Sequence, residues 1–116
     1  MIRERQNAVL SMTEQTTLKE LKQALQALLG KNLQRFVLFG SKARGDAERD
    51  SDLDVAIVVD GLDRTLKRAI LDVVTDLELK HFTPMSTLVL SAADFHLLKS
   101  RERRIALDIE SEGIQL

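Results

Sequence analysis

The chain has 116 residues, with 17 basic and 18 acidic side chains that give a formal net charge of −1. This length, together with a hydrophobic content of 44%, favours one domain that folds around its own core. The balanced charge excludes a polycation that holds nucleic acid through its overall charge. Because the sequence has no cysteine, disulfides, thiolate zinc sites and cysteine nucleophiles are excluded as well.

The first ten residues mix charged and apolar side chains, and no segment approaches the roughly 18 apolar residues of a membrane-spanning helix. We therefore expect a cytoplasmic protein with no membrane partner. A second methionine, Met12, suggests that residues 1–15 are an N-terminal extension, disordered or only loosely ordered, and that residues 16–116 form the domain.

The segment after this extension predicts a helix. Thr17 and Glu20 have the spacing of a capping box, and leucines then recur at helical intervals until Gly30. A short run of aromatic and β-branched residues, 36–39, predicts a strand that ends in a tight turn. Residues 41–47 suit a short helix or turn, and the polar residues after them predict an exposed connection.

The second half of the chain continues the alternation of strands and helices. A continuous apolar run, 55–59, predicts a central strand that is covered on both faces. Asp63 is the expected N-cap of a helix that Pro84 prevents from continuing. A third strand, 87–90, and two further helices, the last ending at Gly113, complete the order α-β-α-β-α-β-α-α. This order predicts an α/β (α+β) fold, a small mixed β-sheet with helices packed against it.

Two features in the middle of the chain point to chemistry. Gly40 and Ser41 follow a strand and enter a helical turn, where backbone N–H groups and a hydroxyl converge on a point that suits a phosphate. Asp52 and Asp54 are two residues apart on a strand, so both carboxylates project from one face. Their repulsion would be costly beside an apolar run unless a cation lay between them, and Mg²⁺ prefers such oxygen ligands together with phosphates. The two features together predict a metal–nucleotide site.

The spacing of these features is distinctive. A Gly-Ser pair with Asp-x-Asp at one fixed spacing arises by chance in on the order of one chain per thousand of this length. The pattern resembles the signature of the minimal nucleotidyltransferases of the DNA polymerase β superfamily, and here it reads Gly40-Ser41, residues 42–51 and Asp52-Leu53-Asp54. Ala43, Arg44 and Gly45 extend the match to the common form Gly-Ser-x-Ala-Arg-Gly. The resemblance implies the nucleotidyltransferase fold from about Leu33 to the C-terminus.

The resemblance also implies roles for these residues. Gly40 and Ser41 would bind the triphosphate of ATP, and Asp52 and Asp54 would bind Mg²⁺ as catalytic residues. A nucleotidyl group would then pass to an acceptor hydroxyl by in-line displacement, with catalysis through positioning and charge neutralisation.

Two basic residues of the motif are further candidates for nucleotide binding. Lys42 or Arg44 could face the phosphates. For Lys42 the alternative is an ordinary exposed charge, and for Arg44 it is a salt bridge to Asp46 or Asp50.

The sequence departs from the family pattern at one place. Active members carry a third carboxylate on a later strand, which helps to bind metal and to deprotonate the acceptor. Here Ser86 or Thr87 stands at that place. Three outcomes stay open: weak activity with two carboxylates, a substitute carboxylate such as Asp60 or Glu112, or nucleotide binding without turnover.

A small domain leaves little room for an acceptor pocket, so we expect the acceptor to be another macromolecule. With four Phe and no Tyr or Trp, the chain has few stacking platforms, which argues against direct nucleic-acid binding. Stand-alone domains of this kind resemble the antitoxin of HEPN/MNT toxin–antitoxin pairs. This resemblance implies a HEPN-type ribonuclease partner, which the antitoxin binds and AMPylates on a tyrosine.

Other functions remain open at this point. A catalytically degenerate subunit would act by binding a partner or a nucleotide only. An enzyme that modifies a small alcohol would need a second subunit to complete its acceptor site. The sequence also leaves open whether the chain forms a homo- or a hetero-oligomer.

Overall fold

The structure, a computed structural model, describes residues 10–45 and 51–116. The predicted order of helices and strands is confirmed, and a two-residue strand that was not predicted follows the last helix. In chain order the elements are α1 (Met12–Leu29), a 3₁₀ turn (Gly30–Asn32), β1 (Leu33–Phe39), α2 (Gly40–Arg44), β2 (Leu53–Val59), α3 (Arg64–His81), β3 (Met85–Ser91), α4 (Ala92–Ser100), α5 (Arg104–Glu112) and β4 (Ile114–Gln115).

The four strands form one mixed sheet in the order β3-β2-β1-β4. Strand β1 runs antiparallel to both β2 and β4, and β2 runs parallel to β3. Six of the seven residues of β2 are buried, as expected for a strand in the middle of a sheet with helices on both faces. The predicted fold class, a small mixed sheet with helices packed against it, is confirmed.

Alternate residues of β2 reach two separate cores. The first core contains Ile57 together with Leu25 of α1 and Ile70 of α3. The second core contains Val58 together with Phe95 of α4, and it also includes residues of α5. Side chains on a strand alternate between faces, so α1 and α3 cover one face of the sheet and α4 and α5 cover the other.

The register of the strands brings several chain segments to one edge of the sheet. Phe39, the last residue of β1, lies opposite Asp54, and Asp54 lies opposite Ser86 near the start of β3. Leu38 pairs with Ile114, the first residue of β4. The end of β1 and the starts of the other three strands therefore meet at this edge, which we call the site edge.

Helix α1 begins earlier than the sequence analysis predicted. The hydroxyl of Ser11 accepts a hydrogen bond from the backbone N–H of Glu14 at 3.0 Å, and the Glu14 carboxylate accepts one from the N–H of Ser11 at 2.9 Å. Thr17 lies inside the helix, where its hydroxyl donates to the carbonyl of Thr13 at 2.7 Å. Two segments have capping-box spacing, and the earlier one starts the helix because Thr17 is buried in the interior.

This correction bears on the expected domain boundary. Helix α1 crosses the expected division between residues 15 and 16, so residues 12–15 belong to its first turn. Residues 1–9 lie outside the described part of the chain. The division into an extension and a domain stays a prediction.

The other predicted helix ends agree with the structure. Asp63 caps α3 by accepting from the N–H of Leu66 at 2.7 Å, and Gly113 follows the last residue of α5. The predicted helix or turn over 41–47 is the short helix α2, while residues 46 and 47 lie outside the described part of the chain. Among the described helices, none is long and apolar enough to cross a membrane.

We expect the substitution Ser11→Ala to lower the free energy of unfolding by about 1 kcal/mol, because the N-cap hydrogen bond is lost. Urea denaturation followed by circular dichroism measures this change. Thr16→Ala is the matched control, since Thr16 is exposed on the same helix and its replacement should not destabilise the protein. Equal stability of Ser11→Ala and the wild type would contradict the assigned start of α1.

Candidate functional site

The two aspartates lie together at the site edge. Asp52 is exposed and immediately precedes β2, and Asp54 is half-buried within it. The pKa of Asp54 is raised above its ordinary value, chiefly by burial and then by the negative charge of Asp52. A hydrogen bond from the hydroxyl of Ser86 and the positive charge of Arg44 oppose this rise without cancelling it. Ionisation of Asp54 is therefore less favourable here than for an aspartate in water, and a nearby cation would favour the ionised form.

Gly40 approaches Asp54 more closely than any other residue type could. It begins α2 with φ +74, a left-handed conformation that residues with a Cβ rarely adopt. A Cβ built on Gly40 would lie 2.3 Å from Oδ2 of Asp54 and 3.1 Å from its Cγ. The glycine thus lets the turn after β1 lie directly against the carboxylate. The structure brings the two predicted features, the Gly-Ser turn and the Asp pair, into contact.

Ser41 is the second residue of the same turn. Its side chain is half-buried, and its carbonyl accepts the N–H of Gly45 at 3.0 Å, which closes the five-residue helix α2. The predicted role of Ser41 in holding a phosphate stays a prediction, and its position beside Gly40 is consistent with that role.

Lys42 is buried, contrary to the alternative that it is an ordinary exposed charge. Its Nζ lies 3.1 Å from Oε2 of Glu14, and only 6% of its side chain is exposed. The cause is local geometry, because α2 turns Lys42 and the buried Ala43 towards α1. A contact between Lys42 and a phosphate would require the ion pair with Glu14 to open. No local pattern in the sequence predicts this pair, since its partners are far apart in the chain.

Arg44 is the exposed cation of the turn, with 41% of its side chain accessible. Its Nη1 lies 3.3 Å from Oε1 of Glu112, at the end of α5. Its positive charge also acts on Asp54, so the guanidinium lies near both carboxylates. The predicted alternative partners of Arg44, Asp46 and Asp50, lie outside the described part of the chain.

Ser86 is one of the two residues at which a third carboxylate was expected from the sequence. It lies opposite Asp54 in the parallel register of β2 and β3 and hydrogen-bonds to it. Thr87 lies opposite Val55 and therefore belongs to the other face of the sheet. Of the two residues that the sequence left open for this place, Ser86 is the one at the site.

The two proposed substitute carboxylates are placed very differently. Asp60 follows β2 at its far end, six residues from Asp54 and about 20 Å away at the rise of an extended strand. The suggestion that Asp60 replaces the third carboxylate is therefore wrong. Glu112 lies near the site through its contact with Arg44. Within residues 10–45 and 51–116, no group of three His, Cys, Asp or Glu side chains is placed to hold a metal ion.

The donor set fits a hard divalent cation. Mg²⁺ is commonly bound by one or two carboxylates and completed by water and substrate phosphates. Asp52 and Asp54 supply such a pair, and the raised pKa of Asp54 shows a negative charge that lacks full compensation. The turn that begins at Gly40 lies against this pair, where phosphate oxygens would complete the coordination.

The sequence of this chain is similar to the sequences of known proteins. The nucleotidyltransferase domain family matches residues 18–108. Two curated proteins of Methanocaldococcus jannaschii, each named "putative protein adenylyltransferase", are similar to this chain: one is 48% identical over 42 residues and the other 41% identical over 49 residues. These matches cover 36% and 42% of this chain and 42% and 49% of the two relatives. The chain thus spans less than half the length of the curated relatives it matches.

Two solved structures have the same fold. A crystal structure of a "putative nucleotidyltransferase" from Sulfolobus solfataricus superposes with a TM-score of 0.55 and 21% identity, over 86% of this chain and 76% of that one. A chain of a mutant of the toxin–antitoxin MntA–HpeT superposes with a TM-score of 0.53 and 22% identity, over 85% of this chain and 70% of that one. Similarity at this level of identity establishes the fold alone.

We expect Asp54→Asn to raise the melting temperature of the metal-free protein at neutral pH. The folded-state pKa of Asp54 is raised, so ionisation of Asp54 destabilises the folded protein as the pH rises above the ordinary pKa of an aspartate. The amide of asparagine does not ionise and removes this cost. Mg²⁺ should raise the melting temperature of the wild type and have little effect on the variant. Differential scanning fluorimetry measures both effects.

The matched control for this experiment is Asp72→Asn, which changes an exposed aspartate on α3. It should keep the melting temperature and the Mg²⁺ response of the wild type. A lower melting temperature for metal-free Asp54→Asn would contradict the assigned electrostatic cost, and an undiminished Mg²⁺ response would contradict the metal site.

Proposed function

Since the chain belongs to the nucleotidyltransferase domain family, we propose that it is a Mg²⁺-dependent adenylyltransferase that moves AMP from ATP to a hydroxyl of a protein partner. The observation that carries this proposal is the contact between Gly40 and Asp54. It places a glycine turn suited to phosphate directly against a carboxylate pair suited to Mg²⁺.

Each residue of the site has a role in this proposal. Asp52 and Asp54 hold the metal ion, and the backbone of Gly40 and Ser41 binds the triphosphate. A metal ion held by these aspartates would supply positive charge to the phosphates, and pyrophosphate is the leaving group when AMP passes to the acceptor oxygen. Arg44 adds a positive charge on the exposed side of the turn. Catalysis then consists mainly of alignment and charge neutralisation.

The acceptor in this proposal is a protein, for two reasons. The curated relatives are named as protein adenylyltransferases, and one solved structure of the same fold is a toxin–antitoxin protein. We further propose that the partner is a HEPN-type ribonuclease toxin and that this chain acts as its antitoxin, by binding it and by transferring AMP to a tyrosine hydroxyl. Tyrosine is a suitable acceptor because its phenol loses a proton more readily than an aliphatic alcohol does.

One observation favours a second candidate function, in which the chain binds nucleotide or partner without turnover. Ser86 donates a hydrogen bond to Asp54 where a third carboxylate would otherwise lie. A hydroxyl cannot take the acceptor proton as a carboxylate can. We therefore expect transfer to be slow if it occurs, and the two functions require a direct test.

The first test is intact mass spectrometry of the partner protein after incubation with this chain, ATP and Mg²⁺. The partner to use is a HEPN-type protein, sought among the products of the genes that neighbour the gene for this chain. We expect its mass to rise by whole AMP units with the wild type. We expect at least a roughly 100-fold slower rise with the double variant Asp52→Asn/Asp54→Asn, because both metal ligands are lost.

Asp72→Asn is again the matched control and should transfer AMP like the wild type. A complex that forms equally with the wild type and the double variant, without any mass change, would support the binding subunit instead. The absence of both complex and mass change would contradict the partner that we propose.

The substitution Ser86→Asp tests whether the missing carboxylate limits the rate. The new carboxylate would lie beside Asp54 and could bind metal and accept the acceptor proton, so we expect AMP transfer to accelerate about tenfold or more. Without Mg²⁺ the same variant should be less stable, because a hydrogen bond is replaced by a like charge. Initial rates and melting temperatures measure these effects.

Asparagine is similar in size to aspartate but carries no charge, so Ser86→Asn should not accelerate transfer. If Ser86→Asp is no faster than Ser86→Asn, the third position does not limit turnover in this protein.

A further inference from the structure

We propose that Glu112 is a positioning residue of this site, which holds the guanidinium of Arg44 where it meets the triphosphate of ATP. The inference rests on the proposed function and extends the site to the C-terminal part of the chain. It gives a role to an acidic residue that lies 68 positions from its partner in the sequence.

The fold fixes the end of α5 beside the turn that begins at Gly40. Strand β4 follows Gly113 and pairs with β1, with Ile114 opposite Leu38. The N–H of Leu116 donates to the carbonyl of Phe36 at 2.8 Å. These contacts hold the residue after Glu112 against the part of β1 that leads directly into Gly40.

Gly113 shows how closely the chain packs at this point. A Cβ added to Gly113 would lie 2.3 Å from Cγ1 of Val37 and 2.3 Å from the carbonyl oxygen of Ile109. A larger residue would force the chain away from β1. The backbone of Glu112 is therefore held in one place by its neighbours on both sides, and its carboxylate reaches Arg44 from there.

The exposure of this ion pair indicates that it orients the Arg44 side chain rather than stabilises the fold. The side chains of Arg44 and Glu112 are 41% and 39% exposed, and exposed ion pairs contribute little to folding. An arginine is a long side chain with many rotamers, and ordering it on binding has an entropic cost. A carboxylate that already restricts Arg44 reduces this cost. Since a guanidinium has five N–H donors, contact with Glu112 is compatible with contact to phosphate.

The positive charge of Arg44 acts on the proposed metal ligand as well as on Glu112. The guanidinium acts electrostatically on Asp54 while Nη1 contacts Glu112. Its positive charge therefore acts both on the carboxylate at the end of α5 and on the proposed metal ligand. An anion bound to a metal ion at Asp54 would meet this cation.

The alternative is that Glu112 itself serves as the third carboxylate. Its contact with a guanidinium argues against this, because a metal ion and Arg44 would compete for the same oxygens. The two roles differ in what the neutral substitution Glu112→Gln does. The amide keeps an oxygen that accepts from Arg44 but is a poor metal ligand and no base.

The test measures the binding of MgATP by isothermal titration calorimetry, together with the KM and kcat of AMP transfer. We expect Glu112→Ala to raise the dissociation constant and the KM for MgATP about three- to tenfold, with kcat changed less than about twofold. Glu112→Gln should recover most of this loss. In Arg44→Ala, adding Glu112→Ala should have no further effect, because the two residues act together.

Glu110→Ala is the matched control. Glu110 lies on the same helix and forms ion pairs with Arg35 at 2.8 Å and with Lys99 at 3.4 Å. Glu110→Ala should change the melting temperature at least as much as Glu112→Ala does, and it should leave the affinity for MgATP unchanged. If Glu112→Ala acted only by loosening α5, Glu110→Ala would weaken MgATP binding to a similar extent.

Several results would overturn the inference. Equal MgATP affinity of Glu112→Ala and Glu110→Ala would contradict the positioning role while leaving the proposed function intact. A loss of kcat in both Glu112→Ala and Glu112→Gln would assign Glu112 to metal binding or proton transfer instead. A wild-type chain that binds no MgATP would overturn the proposed function and this inference together.

Discussion

The close approach of Gly40 to Asp54 is the constraint on which the rest of the site depends. It requires that β1 end where β2 begins, which the antiparallel register provides by setting Phe39 opposite Asp54. It also requires a residue without a Cβ and with a positive φ at the turn. Only then does the turn lie directly against a carboxylate. The register of the sheet sets the position of the turn, and the missing Cβ of Gly40 leaves room for the Asp54 carboxylate.

This approach has an electrostatic cost that the protein only partly compensates. Burial and the charge of Asp52 both disfavour the ionised form of Asp54, which the raised pKa expresses. Ser86 offers a hydrogen bond at the place where another carboxylate would add repulsion. The serine therefore makes the metal-free protein easier to fold, and it removes a group that could take part in transfer. If the proposed transfer occurs, stability and turnover make opposite demands on this position.

The sequence predicted the parts of this structure that depend on local patterns. The apolar run of β2, the glycine turn and the paired aspartates were all visible in it, and the fold class followed from the order of elements. The start of α1 was missed because two segments have the same capping spacing. The alternative that Lys42 is an exposed charge was wrong, and the contact of Arg44 with Glu112 was missed. Both ion pairs join residues far apart in the chain, so only the packing of α2 between α1 and α5 reveals them.

These two ion pairs explain how a helix of five residues is held in place. A helix as short as α2 is not stable alone, and its neighbours must fix it. On one side Lys42 pairs with Glu14 in the interior, where only 6% and 15% of the two side chains are exposed. Breaking such a pair leaves a buried charge, which typically costs about 3–5 kcal/mol.

On the other side, Arg44 pairs with Glu112 at the surface, where opening the pair costs about 1 kcal/mol or less. The difference in burial therefore separates the two cations of the motif by function. Lys42 serves the fold, because a phosphate could bind Lys42 only by replacing its buried partner Glu14. Arg44 can turn towards a new anion while its charge remains compensated. Of the two basic residues that the sequence offered as phosphate ligands, the energetics of their existing contacts favour Arg44.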